Sequence, residues 1–79
     1  MPTLDQVKHN KTLVVTEVRQ GPLKGKLADM GIAPGLQLHV AFKAPLGDPI
    51  AVALGDYTLT LRKSEAALVV VDNIEGGTI

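Results

Sequence analysis

The stretch Ile50-Ala-Val-Ala-Leu-Gly-Asp-Tyr-Thr-Leu-Thr-Leu61 decides the fold. Ile50, Val52 and Leu54 alternate with alanines, and Tyr57, Leu59 and Leu61 alternate with polar residues, the period-two pattern of half-buried strands. Gly55-Asp56 between the two runs is a tight hairpin turn. Upstream, over residues 36–44, Leu36, Leu38, Val40 and Phe42 alternate with Gln37, His39, Ala41 and Lys43, so Phe42 is expected on the apolar side and His39 on the polar side. Gly47-Asp48-Pro49 breaks the chain before Ile50. The result is a three-stranded meander.

Thr12-Leu-Val-Val-Thr-Glu-Val18 is a further strand rich in β-branched residues, although both of its alternating sets hold apolar groups. Leu68-Val-Val-Val71 is continuous and suits a strand covered on both sides. Residues 23–30 are the helical candidate, with Leu23, Leu27 and Met30 at i, i+4 and i+7, Pro22 at a first helical position and Gly31 as the stop. Gly25 costs this helix about 1 kcal/mol relative to alanine, so it depends on tertiary packing. Ser64 is expected to cap one helical turn over residues 64–67. Five short strands and one short α-helix, in a mostly β chain of 79 residues, close most economically as a small barrel. One domain is expected over residues 1–74, with a frayed tail at 75–79.

Composition narrows the function. The chain has eight basic and eight acidic residues and no cysteine, which excludes disulfides, thiolate metal sites and cysteine nucleophiles. Zero formal net charge argues against duplex nucleic acid, and one Phe, one Tyr and no Trp argue against stacking on single strands. No apolar run approaches the length of a membrane span, and no leader pattern opens the chain, so a cytoplasmic setting is expected.

Chemistry-bearing residues are sparse. Ser64 is the lone serine, beside Glu65, and every acid lies in a polar or turn context, so no catalytic residue is assigned. His9 and His39 stand thirty residues apart and read as solvated; with the acids they are the sole candidates for a weak divalent-metal site, within one copy or shared between two. No cofactor is expected otherwise. Met30-Gly-Ile-Ala-Pro-Gly35 reads as punctuation, with Ile32 packed beneath the turn. Ala44-Pro-Leu-Gly-Asp-Pro49 is less ordinary, because two prolines stiffen a turn with Leu46 at its middle. Leu46 either plugs a barrel end or stands out as a preorganised apolar knob for a protein partner, and the residues leave both open. Lys24, Lys26, Arg62 and Lys63 form two small basic clusters, either solvated faces or a means of steering an acidic protein surface.

Three motifs in order, Leu27-Ala-Asp-Met-Gly-Ile-Ala-Pro-Gly35, Ala44-Pro-Leu-Gly-Asp-Pro-Ile50 and Leu59-Thr-Leu-Arg-Lys-Ser-Glu-Ala66, resemble the FeoA family of bacterial ferrous iron uptake over most of residues 4–72. The resemblance implies an SH3-like β-barrel and a cytoplasmic accessory role beside FeoB, a permease with a cytosolic GTPase domain. It would reach the membrane only through that partner, and self-association is left open. The surface expected to meet the partner comprises Leu23, Lys24, Lys26, Leu27 and Met30 of the helix, Pro45, Leu46, Gly47, Asp48 and Pro49 of the loop, and Arg62 and Lys63. The chain departs from the family pattern at Asn10-Lys11 and in Lys24-Gly25-Lys26, where the resemblance implies a more arginine-rich helix. The alternative is a metal-responsive or self-associating regulatory domain, like the SH3-like domain of DtxR-type iron-dependent repressors.

Overall fold

The computed structural model describes residues 2–8 and 10–74; His9 and the expected tail at 75–79 lie outside the described residues. Strands β1 (Thr12–Val18), β2 (Gln37–Lys43), β3 (Ile50–Leu54), β4 (Tyr57–Leu61) and β5 (Val69–Asn73) form an antiparallel sheet in the order β4-β3-β2-β1-β5. Helix α1 (Lys24–Asp29) lies between β1 and β2, and the single-turn helix α2 (Lys63–Ala66) joins β4 to β5. The strand count and the meander agree with the expected SH3-like barrel. Its closure does not: β4 and β5 share no ladder, and α2 occupies the connection between them.

Two bulges explain where simple alternation fails. The β1–β5 register shifts between Val15 and Glu17, so Leu13 and Val15 point inward before the extra residue and Val18 points inward after it. The mixed faces of that strand follow. In β2 the register shifts between Val40 and Phe42, which places Phe42 opposite Ala51 and leaves it 54% exposed instead of inside. Tyr57 also departs from the inward set and is half exposed; its hydroxyl approaches the Met30 carbonyl at 3.5 Å.

The core gathers Leu13, Val15, Leu38, Val40, Ile50, Val52, Leu61, Val69 and Val71 from the sheet, with Leu27 and Ile32 from α1 and its exit. Leu4 and Val7, also fully buried, come from a 3₁₀ turn (Leu4–Gln6) that the hydrophobic periodicity does not announce. Its signal is Thr3-x-x-Gln6: the Thr3 N–H donates to Gln6 Oε1 at 3.0 Å, the reach-back half of a capping box. Helix α1 stops as expected. The Gly31 N–H bonds the Ala28 carbonyl at 2.9 Å and the Ile32 N–H bonds the Leu27 carbonyl at 3.0 Å, a Schellman pair with Gly31 at φ +92°. Pro22 lies in the turn ahead of the helix, not at its first position, because Leu23 is the N-cap.

The cap of α2 is a correction with consequences. Ser64 does not cap it; Arg62 is the N-cap residue, and its backbone N–H donates to Glu65 Oε1 at 2.7 Å. Glu65 is therefore drawn inward to 4% exposure, contrary to the expectation that every acid lies in a polar or turn context. Its Oε2 lies 2.7 Å from the Lys26 ammonium on α1, so this one carboxylate ties α1 to the β4–β5 junction. The Lys26 hydrogen bond, and then the Arg62 N–H, hold the Glu65 pKa below the usual glutamate range, outweighing the opposing effect of burial.

Glu65→Ala removes the cap and leaves Lys26 unpaired, with an expected loss of about 2 kcal/mol, or roughly 10 °C in Tm for a domain of this size. Thermal unfolding followed by circular dichroism measures it. Because the folded-state pKa is depressed, the carboxylate's contribution is complete above the ordinary glutamate range and is lost as pH falls through that range toward the lowered folded value. The difference in unfolding free energy between wild type and Glu65→Gln should therefore shrink across that acid window and stay flat above it. Gly31→Ala should cost about 1–2 kcal/mol from its left-handed φ. Its added Cβ would meet the Tyr57 hydroxyl at 2.9 Å, an exposed tip able to swing away, so Gly31→Ala with Tyr57→Phe should unfold at nearly the same temperature as Gly31→Ala alone.

Candidate functional site

The connection between β2 and β3, residues 44–49, is pinned at both ends. The Ala44 N–H donates to the Pro49 carbonyl at 3.1 Å, and the Gly47 N–H donates back to the Ala44 carbonyl at 2.7 Å. Asp48 Oδ1 accepts the Lys63 backbone N–H at 3.1 Å, fastening the loop to α2. Pro45 fixes φ at the first corner of the turn, and Leu46 follows at its second. Leu46 is 89% exposed, so it projects from the surface and plugs no barrel end.

Two clefts flank this loop. The first, about 540 Å³, runs between the loop and the N-terminal 3₁₀ turn; its lining includes Asp5, Lys8, Lys43, Pro45, Leu46 and Lys63. Lys43 is not free in it, because its ammonium donates to the Asp5 carbonyl at 2.6 Å and the Val7 carbonyl at 3.2 Å, closing the C-terminal end of the 3₁₀ turn. The second cleft, about 490 Å³, is lined by Lys26, Asp48, Pro49, Thr60, Arg62 and Glu65. The loop thus carries an apolar tip between two cationic flanks, Lys8 and Lys63 on one side and Lys26 and Arg62 on the other. Lys26 is partly neutralised by Glu65.

Of the residues expected to face a partner, Pro45, Leu46, Gly47, Asp48, Pro49, Arg62, Lys63 and Lys26 come together here. Leu27 does not: it is fully buried, because its position on α1 makes it the helix's contribution to the core. Leu23 and Met30, at the two caps of α1, are half-buried, as is Lys24. Asp5 and Lys8 carry no such signal in the sequence, since they reach the site through the 3₁₀ turn, and Lys43, at the end of β2, joins it by bonding that turn's carbonyls.

His39 is half-buried on β2, where its Nδ1 lies 3.0 Å from Thr12 Oγ1 on β1. Among the described residues no three His, Cys, Asp or Glu side chains come together as a metal-binding group, and no helix is long and apolar enough to cross a membrane. Ser64 is exposed on α2 and has no histidine beside it in sequence.

A family model for the FeoA domain matches residues 3–73. The solution structure of a FeoA-like protein from Clostridium acetobutylicum is 36% identical, with a TM-score of 0.85 over 98% of this chain and 91% of that one. That of iron(II) transport protein A from Clostridium thermocellum is 34% identical, with a TM-score of 0.86 over 95% of this chain and 47% of that one, so this chain spans about half the length of that relative. Stenotrophomonas maltophilia FeoA complexed with zinc, described as a procaryotic SH3 domain protein, is 30% identical, with a TM-score of 0.78 over 91% of each chain. A manganese-dependent transcriptional repressor shares the fold alone, at 20% identity and a TM-score of 0.84 over 92% of this chain and 41% of that one. The three ordered motifs, the SH3-like strand order and a family match over nearly the whole length lead to one conclusion: this chain belongs to the FeoA family.

Proposed function

We propose that this protein is a non-enzymatic adaptor of ferrous iron uptake that docks onto the cytosolic GTPase domain of a FeoB-type permease. The observation that carries the reading is Leu46, almost wholly exposed on a loop held by three hydrogen bonds and flanked by cations. A large apolar side chain on a rigid loop loses little conformational entropy on binding, as a docking anchor should. The matching surface is an apolar pocket rimmed by carboxylates, with Lys8, Lys63 and Arg62 steering the approach. By binding one conformation of the permease more tightly than another, the adaptor shifts the balance between them without chemistry of its own.

The zinc complex of the Stenotrophomonas maltophilia protein and the shared repressor fold favour a second reading, a metal-responsive regulatory domain. Calorimetry with Fe²⁺ and Zn²⁺ separates the two, since a stoichiometric micromolar site belongs to the second.

Titration of the 79-residue chain with the permease's cytosolic domain tests the adaptor reading. Leu46→Asp should weaken binding by about 2 kcal/mol, roughly thirtyfold in Kd, as for an interface hot spot. Rising salt should slow association of the wild type. Equal binding by wild type and Leu46→Asp, or no binding by either, rejects the proposed surface.

A further inference from the structure

The sheet has two edges, and they are finished differently. Along β5 the N-terminal segment supplies partners: the Val71 N–H donates to the Pro2 carbonyl at 3.0 Å, and Thr3 forms an antiparallel bridge with Val70. Along β4 no segment does so among the described residues. The pairing Leu54↔Tyr57 across the two-residue turn Gly55-Asp56 makes that pair exchange both hydrogen bonds, with Gly55 at φ +63° at the first central position as a type II′ turn requires. Alternation then turns the N–H and C=O groups of Tyr57, Leu59 and Leu61 toward β3, and those of Thr58 and Thr60 toward the open edge. Four backbone groups in a row thus lack a protein partner among the described residues. Neither proline nor a charged side chain interrupts the strand, and these are common devices by which edges are protected.

We infer that β4 pairs antiparallel with β4 of a second copy of this chain, about a two-fold axis passing between the two Leu59 residues. In this register Thr58 lies opposite Thr60 of the second copy and Thr60 opposite its Thr58, so the four outward groups of each strand are satisfied together. Leu59, half-buried in one copy, lies beside its own counterpart. The charges select the register. At the strand ends Asp56 falls opposite Arg62 of the second copy, and Arg62 opposite its Asp56. Both side chains are exposed and neither forms a salt bridge among the described residues of its own copy, although the Arg62 charge lies near enough to Glu65 to be felt by that carboxylate. Moving the register by two residues sets Asp56 against Thr60 or against Ser64 and leaves the charges unmatched. Opposite charges facing across strands favour a pairing, and the same operation applied twice makes this contact closed and isologous. The interface does not involve Leu46 and stands whether or not the adaptor reading holds.

Sedimentation velocity of the 79-residue chain across micromolar to millimolar concentration is the test, with circular dichroism confirming that each variant folds. Wild type should dimerise reversibly. Asp56→Arg and Arg62→Glu should each raise the dimer dissociation constant by about tenfold or more through like-charge opposition. An equimolar mixture of the two variants should recover the wild-type constant. In the mixed dimer the two substituted positions face each other with opposite charge, and the unaltered Arg62 of one copy faces the unaltered Asp56 of the other. Thr60→Pro, which removes only an outward N–H, should abolish the dimer while Leu46→Asp leaves it intact. A wild type monomeric throughout the range, a dimer indifferent to Thr60→Pro, or a variant mixture that stays dissociated would each overturn the inference.

Discussion

A five-stranded sheet whose end strands β4 and β5 share no ladder must hold the connection between them by other means, and in this fold one carboxylate fastens it. Glu65 lies on the helical turn that carries the chain from β4 to β5. One of its oxygens closes the start of that turn through the Arg62 N–H, and the other holds α1 through Lys26. A buried carboxylate is costly unless both oxygens find strong donors. Here Oε1 accepts the Arg62 N–H and Oε2 is held by the charge of the Lys26 ammonium at 2.7 Å, and the depressed pKa expresses the same attraction from the proton's side. The geometry of the second cleft, and the position of Arg62 at its rim, follow from that contact.

The display of Leu46 depends on the same region. Asp48 fastens its loop to the Lys63 N–H, the first residue of the turn that Glu65 caps, so the loop is braced against an element that is itself braced against α1. A loop with only its own two backbone bonds would sample more conformations and lose more entropy on binding. Rigidity at Leu46 is thus a tertiary property, with its origin more than fifteen residues downstream.

What the sequence discloses follows from the range of the forces involved. The Tyr57 hairpin, the Gly31 stop and the triple valine of β5 depend on neighbours within a few residues, so their signals are local and legible. Phe42 is different: its outward turn is decided by one extra residue in β2 against β3, and a bulge leaves no mark on the alternation of the strand that carries it. Glu65 hides because its partner sits on α1, thirty-nine residues earlier in the chain. In Ser64-Glu-Ala-Ala67 the serine is the more familiar cap, but the glutamate reaches back to the Arg62 N–H instead, and the position of Lys26 shows why it is also drawn inward. The loop at 44–49 was legible as a rigid apolar turn, whereas Lys8 beside it was not, since the 3₁₀ turn folds it in from the other end of the chain; Lys43 directly precedes the loop, but its bonds to the Asp5 and Val7 carbonyls depend on that same turn.

Arg62 belongs to both proposed surfaces. Its side chain rims the cleft beside Asp48 and Pro49, and it is also the cation that faces Asp56 across the β4 edge. In the proposed dimer its charge would be drawn across the β4 edge toward the second copy and away from the flank of Leu46, so a permease domain that engages Arg62 would compete with the second copy for the same guanidinium. Linkage requires the antagonism to be mutual: whatever the dimer subtracts from partner affinity, the bound partner subtracts from dimer affinity. Chain concentration then becomes an input to docking, through one shared side chain and with no change of fold.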